Sequence, residues 1–138
     1  MAMTEEEKQA LKETMAERSK ARKKMTPEQL EAEVLEKVAA MAPADRAIAE
    51  KVHGLVKTHA PSLQAKTWYG MQAYCNAEGK TVVFFQDSGK FKTRYCTLGF
   101  QDAAQLDEGS MWPTSYAVNE ITPAIEKQIT ELIKRSVS

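Results

Sequence analysis

Hydrophobic positions recur at helical spacing toward both ends of the chain and at strand spacing in its middle. Leu30, Val34, Leu35, Val38 and Met41 follow a 3.6-residue period. They come after Thr26-Pro27-Glu28-Gln29, which supplies a cap, a proline at the first helical position and a glutamine at the third. Pro43 ends that helix and begins another, in which Ile48, Val52, Leu55, Val56 and His59 form one apolar stripe before Pro61. A further helix starts at Thr122-Pro123 and carries Ile125, Ile129, Leu132 and Ile133 on one side. One-sided stripes must lie on an apolar surface.

The middle supplies that surface. Residues 67–74 are β-prone, residues 80–86 are apolar at both parities, and residues 91–98 alternate. Glu78-Gly79 and Ser88-Gly89 read as the intervening turns, which predicts a three-stranded antiparallel meander with 80–86 at its centre. A short strand at 115–118 is expected to complete the sheet. With Asp87 opposite Lys90, Val82, Phe84, Phe91, Thr93 and Tyr95 share one face. Val83, Phe85, Lys92, Arg94, Cys96 and Leu98 share the other. With Ala77 opposite Lys80, Tyr74 joins Val83 and Cys75 joins Val82. The expected fold is α+β: an antiparallel sheet of four to five strands with helices packed on one face, plus an N-terminal helical arm.

That arm is residues 1–25, and the domain proper is 26–138. Thr4-Glu5-Glu6-Glu7 has the form of a capping box. Residues 5–17 carry five acids and two bases, and residues 18–24 carry five bases and no acid, a polarity that suits the helix dipole. Only Leu11, Met15 and Met25 stand out as apolar anchors, so a solvated helix is expected, with a homodimer through this helix as its form of self-association. The basic run has no aromatic residue to stack on bases, which speaks against nucleic acid.

Composition narrows the picture without naming a function. The 138 residues suit one domain, and 19 basic side chains cancel 19 acidic ones, so no overall field favours nucleic acid or membrane. No apolar run approaches the roughly 20 residues that cross a bilayer, and residues 1–24 lack a signal peptide's apolar centre. A cytoplasmic location with both cysteines as thiols is expected. Cys75 and Cys96 would flank one central strand, roughly 9.6 Å apart by strand spacing, beyond the ~7 Å reach of a disulfide. No cysteine or histidine pair has zinc-ligand spacing, and no nucleophile elbow or phosphate-binding loop occurs. An enzyme is therefore not the expected class.

The aromatic residues are the most informative feature. All ten lie between Trp68 and Tyr116. Trp68, Tyr69, Met71 and Tyr74 either belong to the core or line a concave, mostly apolar pocket. Trp112, before Pro113, would form its rim. Lys92 and Arg94, on one strand face, are either solvated charges or anchors for a carboxylate or phosphate. Tyr95 falls on the opposite face in that register but stays in the candidate set. Asp102, Asp107 and Glu108 are either an acidic turn or oxygen ligands for a hard cation.

WYGMQAY (68–74), GKTVVFF (79–85), FKTRYCTLGF (91–100) and LDEGSMWPTSYAV (106–118) together resemble the YdhG-like family of domains of unknown function, over about residues 44–137. The resemblance implies an α+β fold with helices against an antiparallel sheet, similar in outline to frataxin. It further implies, for some bacterial members, an intracellular iron chaperone that supplies iron for haem or iron–sulfur assembly. Gln72 stands where that family's first motif carries proline. Two functional expectations result. One is a non-enzymatic module binding a small, anionic ligand in an aromatic pocket. The alternative is an iron carrier using Asp102, Asp107 and Glu108.

Overall fold

The computed structural model describes residues 4–21 and 25–138. In chain order it contains α1 (Glu5–Ala21), α2 (Pro27–Ala39), α3 (Pro43–His59), β1 (Gln64–Trp68), β2 (Met71–Cys75), β3 (Thr81–Gln86), the single turn α4 (Ser88–Phe91), β4 (Cys96–Phe100), β5 (Ser115–Val118) and α5 (Pro123–Ser136). The strands form one antiparallel meander in the order β1-β2-β3-β4-β5. The α+β class, the five-stranded sheet and the N-terminal helix are as the residue pattern predicts. The last part of the basic run, residues 22–24, lies outside the described residues.

The start signals act as capping chemistry requires. Thr26 Oγ1 accepts from Gln29 N–H at 3.1 Å and Gln29 Oε1 accepts from Thr26 N–H at 2.8 Å, which satisfies two helix-terminal donors reciprocally. Thr4 and Glu7 form the same box at α1, and Thr122 caps α5 through Ile125 N–H at 3.2 Å. Val34 and Val38 of α2, Ile48, Val52 and Val56 of α3, and Ile129 and Ile133 of α5 are buried. They join Tyr74, Val83, Phe85, Cys96, Leu98 and Phe100 in one core. Register places those sheet residues on one face: Ala65, Tyr74, Val83 and Phe100 lie in one row, and Phe85, Leu98 and Tyr116 in another.

Three local expectations need correction. Residues 67–74 do not form one strand. They split between β1 and β2 at Tyr69-Gly70, which join Trp68 to Met71. Both turn residues have positive φ, +50° and +74°, the geometry of a two-residue hairpin loop that matches strand twist. Gly70 suits its positive φ, which other residues adopt only with strain, and a Cβ there would also displace the ends of the Glu13 and Lys90 side chains. The second correction concerns Ser88-Gly89, which is not a tight hairpin turn. Asp87 caps a helical turn through Lys90 N–H at 3.2 Å, and buried Asp45 of α3 holds Ser88 Oγ at 2.9 Å and Gly89 N–H at 2.8 Å. The connection therefore runs to residue 95. Lys92, Arg94 and Tyr95 sit in a loop, not on a strand, while Val83, Phe85, Cys96 and Leu98 still share a face. At the other hairpin a bulge between Tyr74 and Cys75 puts Cys75 opposite Thr81 rather than Val82.

Candidate functional site

The eight predicted ligand-binding residues do not converge on one place. Trp68 and Met71 lie on the face of the sheet away from the core helices, with Tyr69 in the turn between them. Trp68 meets the Tyr69 ring edge-on, centroids 5.0 Å apart, and the Phe84 ring at 5.3 Å. Phe84 covers Gly99, where a Cβ would run into the ring. This face thus has its own aromatic cover over small residues.

Tyr74 is on the opposite face and fully buried, which removes it from any pocket with Trp68. Its hydroxyl belongs to a polar chain that runs from core to surface. Gln72 Nε2 donates to Ala49 C=O at 3.0 Å and to the Tyr74 oxygen at 2.8 Å. Tyr74 Oη lies 2.7 Å from His53 Nδ1, and His53 Nε2 lies 2.9 Å from a Glu31 carboxylate oxygen. The Glu31 carboxylate can only accept, so Nε2–H donates to it. In the tautomer protonated there, Nδ1 accepts the Tyr74 proton. Lys57 closes the chain on Glu31 at 3.1 Å. Burial pushes the Tyr74 phenol up, and the Lys57 ammonium, opposed by desolvation and helped by His53, holds Glu31 down.

His53 lies outside the α3 stripe of Ile48, Val52, Leu55, Val56 and His59, yet its side chain is largely buried. Counting Ala49 as part of the stripe would have widened it to His53, one turn later. Gln72 lies in a strand paired on both sides, where a proline would remove a ladder donor.

Trp112 lies far along the chain, partly buried against the core edge. It lines a cavity of about 370 Å³ together with Asp102 and Asp107. Glu108 turns instead toward Arg135 of α5 at 3.6 Å. Among the described residues no group of three or more His, Cys, Asp or Glu side chains could hold a metal ion.

Tyr69 and Lys92 do come together, at the foot of α1. They line a cavity of about 620 Å³ with Phe91, Gln86 and Leu11, and with Glu6 and Glu7 of the arm. Lys92, in the left-handed conformation at φ +53°, reaches Glu6 at 2.6 Å. That contact lowers the Glu6 carboxyl and raises the Lys92 ammonium. Two turns further along α1, Glu13 pairs with Lys90 and, at 3.1 Å, with Lys37, while Lys90 Nζ also donates to Gly70 C=O at 3.1 Å. Desolvation works against the Glu13 charge, but Lys90, Gln9 and Lys37 outweigh it and hold the carboxyl below its ordinary range. Charge rather than apolar burial thus seats α1, as Leu11 and Met15 remain exposed. Arg94 is exposed and stacks on its own neighbour Tyr95, 5.4 Å from the ring.

The thiols are poor nucleophiles. Burial raises Cys75, and burial together with the Asp45 carboxylate pushes Cys96 up to about 11. Both are free, on β2 and β4 either side of β3. Among the described residues no helix is long and apolar enough to cross a membrane. Comparison with protein-family models, with curated proteins and with solved structures finds no match.

Proposed function

We propose that the protein is a non-enzymatic binding module whose ligand seat is the cavity between α1 and the β1–β2 turn. The ligand is a small molecule with a flat apolar body and one anionic group. The reading rests on one observation above all: Tyr69 and Phe91 line the same cavity of about 620 Å³ as the Lys92 ammonium. That volume falls within the range of small-molecule sites. The body packs against the rings, and the anion replaces Glu6 at Lys92, a charge-assisted exchange. Burial raises both thiols, so neither is poised as a nucleophile, which fits a binding role.

The test uses Trp68, whose ring touches Tyr69, as reporter in a Trp112→Phe background. Titration with 8-anilinonaphthalene-1-sulfonate, an anionic aromatic probe, is expected to quench Trp68. The quenching should weaken at least tenfold in Lys92→Ala and in Tyr69→Ala. Binding that is unchanged in both variants sinks the proposal. A second reading, the iron carrier implied by the family resemblance, draws on Asp102 and Asp107 sharing one cavity. An anaerobic ferrous titration that is flat, or that is unaffected by Asp107→Asn, removes it.

A further inference from the structure

The outer edge of β5 combines with the helix beside it to make a surface that fits its own copy. β5 is the last strand of the sheet, and among the described residues no strand lies beyond it. The phase of its ladder is set by Phe100 N–H, which donates to Thr114 C=O at 2.7 Å. Residues opposite one another in an antiparallel pair alternate between bonded and non-bonded. Thr114, Tyr116 and Val118 therefore turn their backbone groups toward β4, and Ser115 and Ala117 turn theirs outward. Ser115 and Ala117 are exposed. Within Ser115–Val118 there is no lysine, no proline and no bulge, so of the usual devices that protect an edge only the strand's shortness applies.

The edge continues into an apolar groove of about 470 Å³ between β5 and α5, lined by Leu98, Tyr116, Val118, Ile125, Ile129 and Leu132. Lys127 and Glu131 of α5 border the same groove. A free edge alone would accept any extended chain, and an apolar groove alone any apolar group. Three features select a second copy. Pairing β5 with itself about a two-fold axis through Tyr116 is antiparallel, like every other pair in the sheet. In that register Ser115 of each copy meets Ala117 of the other, so the outward donors and acceptors satisfy one another in both directions. The same axis runs α5 antiparallel to α5 of the other copy, an arrangement that can bring Lys127 of each to Glu131 of the other. A formal net charge of zero adds no long-range repulsion between copies.

We infer that two copies join through β5 into one continuous ten-stranded sheet, with the paired Tyr116 rings and the α5 helices closing the grooves on the core side. This is an isologous interface, distinct from the arm-mediated dimer expected from the sequence.

Sedimentation at increasing protein concentration, combined with residue-resolved amide exchange, tests it. The expected mass is twice the 15.4 kDa of one chain. The Ala117 and Ser115 amides should slow as the dimer fills, whereas Tyr116 and Val118 amides are slow throughout. Ala117→Pro removes an outward donor without touching the β4 ladder, and should return the mass to a single chain. Leu132→Glu, which leaves β5 intact, should do the same. A Leu11→Lys/Met15→Lys variant of α1 should remain dimeric. A single-chain mass at millimolar concentration with fast Ala117 exchange overturns the inference. So does a dimer that survives both Ala117→Pro and Leu132→Glu, or one lost only in the α1 variant.

Discussion

The two faces of the sheet are made from neighbouring residues of the same strands, yet they are built on different terms. On the core face, Val83, Phe85 and Leu98 meet three helices and lose nearly all contact with water. On the other face Trp68 and Phe84 are only partly covered, and what covers them is largely each other. Adjacent phenylalanines, Phe84 and Phe85, thus differ in surroundings more than in chemistry. The lesson is that apolar residues at both parities of a strand do not imply two helical layers. Here one layer is helices, and the other is a skin of side chains laid over Gly99 and the buried Ala73.

The sharpest way to break the comparison is to delete each ring. Phe85→Ala is expected to destabilise the domain by about 3–5 kcal/mol, as for a large core truncation. Phe84→Ala should cost about 1–2 kcal/mol, because its ring is already partly hydrated. Urea denaturation of both variants reads this directly, and equal losses would show that the outer face is as tightly sealed as the core.

The next largest effect concerns polar groups buried on the core face. Tyr74→Phe leaves His53 Nδ1 and Gln72 Nε2 short of a partner, at a cost of about 1–3 kcal/mol. A Gln72→Leu/Tyr74→Phe double variant should recover part of that loss, because the buried amide goes with its partner; Gln72 Oε1 already lacks a hydrogen bond. Thermal unfolding of the three proteins measures the recovery.

Asp45 gives the same face a pH dependence. Burial works to raise its carboxyl, but Gly89 N–H, the Cys96 thiol and Ser88 prevail and hold it below the ordinary range. A carboxylate whose folded value is depressed contributes stability that is fully present above its unfolded value, near 3.8, and is lost as pH falls through the folded value. Asp45→Asn should therefore cost about 1–3 kcal/mol at neutral pH, and the gap to the native protein should close below about pH 4. Asp87, raised by burial, works in the opposite sense and offsets part of the acid-side slope. Denaturant unfolding at stepped pH values tests the sign.

The smallest expected effect lies at the foot of the outer face. Glu6→Gln removes the carboxylate that holds Lys92. Global stability should not change measurably, because the pair is solvent-screened. Amide exchange in the first turns of α1 should quicken, as it should in the native protein at high salt. An arm that stays protected under both conditions would be seated by packing rather than charge.

Most of the fold was legible because its signals are local. Proline with a cap at Thr26 and Thr122 starts helices whatever lies nearby, and the stripes of α2, α3 and α5 need only a period. The bland reading of Tyr74 as core could not be separated from the pocket reading, because the difference is which face of β2 it occupies. That depends on a turn at Tyr69-Gly70 in which a tyrosine, not an asparagine, takes a positive φ. The Ser88-Gly89 turn misled for a related reason: its conformation is set by Asp45, 43 residues upstream in sequence from Ser88. The cations Lys92 and Arg94 moved off the strand with it.

The sequence by itself determined the α+β class, the helix starts, the central place of β3 and the separation of the two thiols, since each follows from spacing and nearest-neighbour chemistry. Tertiary structure alone decided that Glu6 meets Lys92, that Glu31, His53, Tyr74 and Gln72 form one chain, and that β5 keeps an open edge beside α5. These depend on residues far apart in sequence arriving at one point, where charge pairing and hydrogen-bond satisfaction, not local propensity, choose the partner.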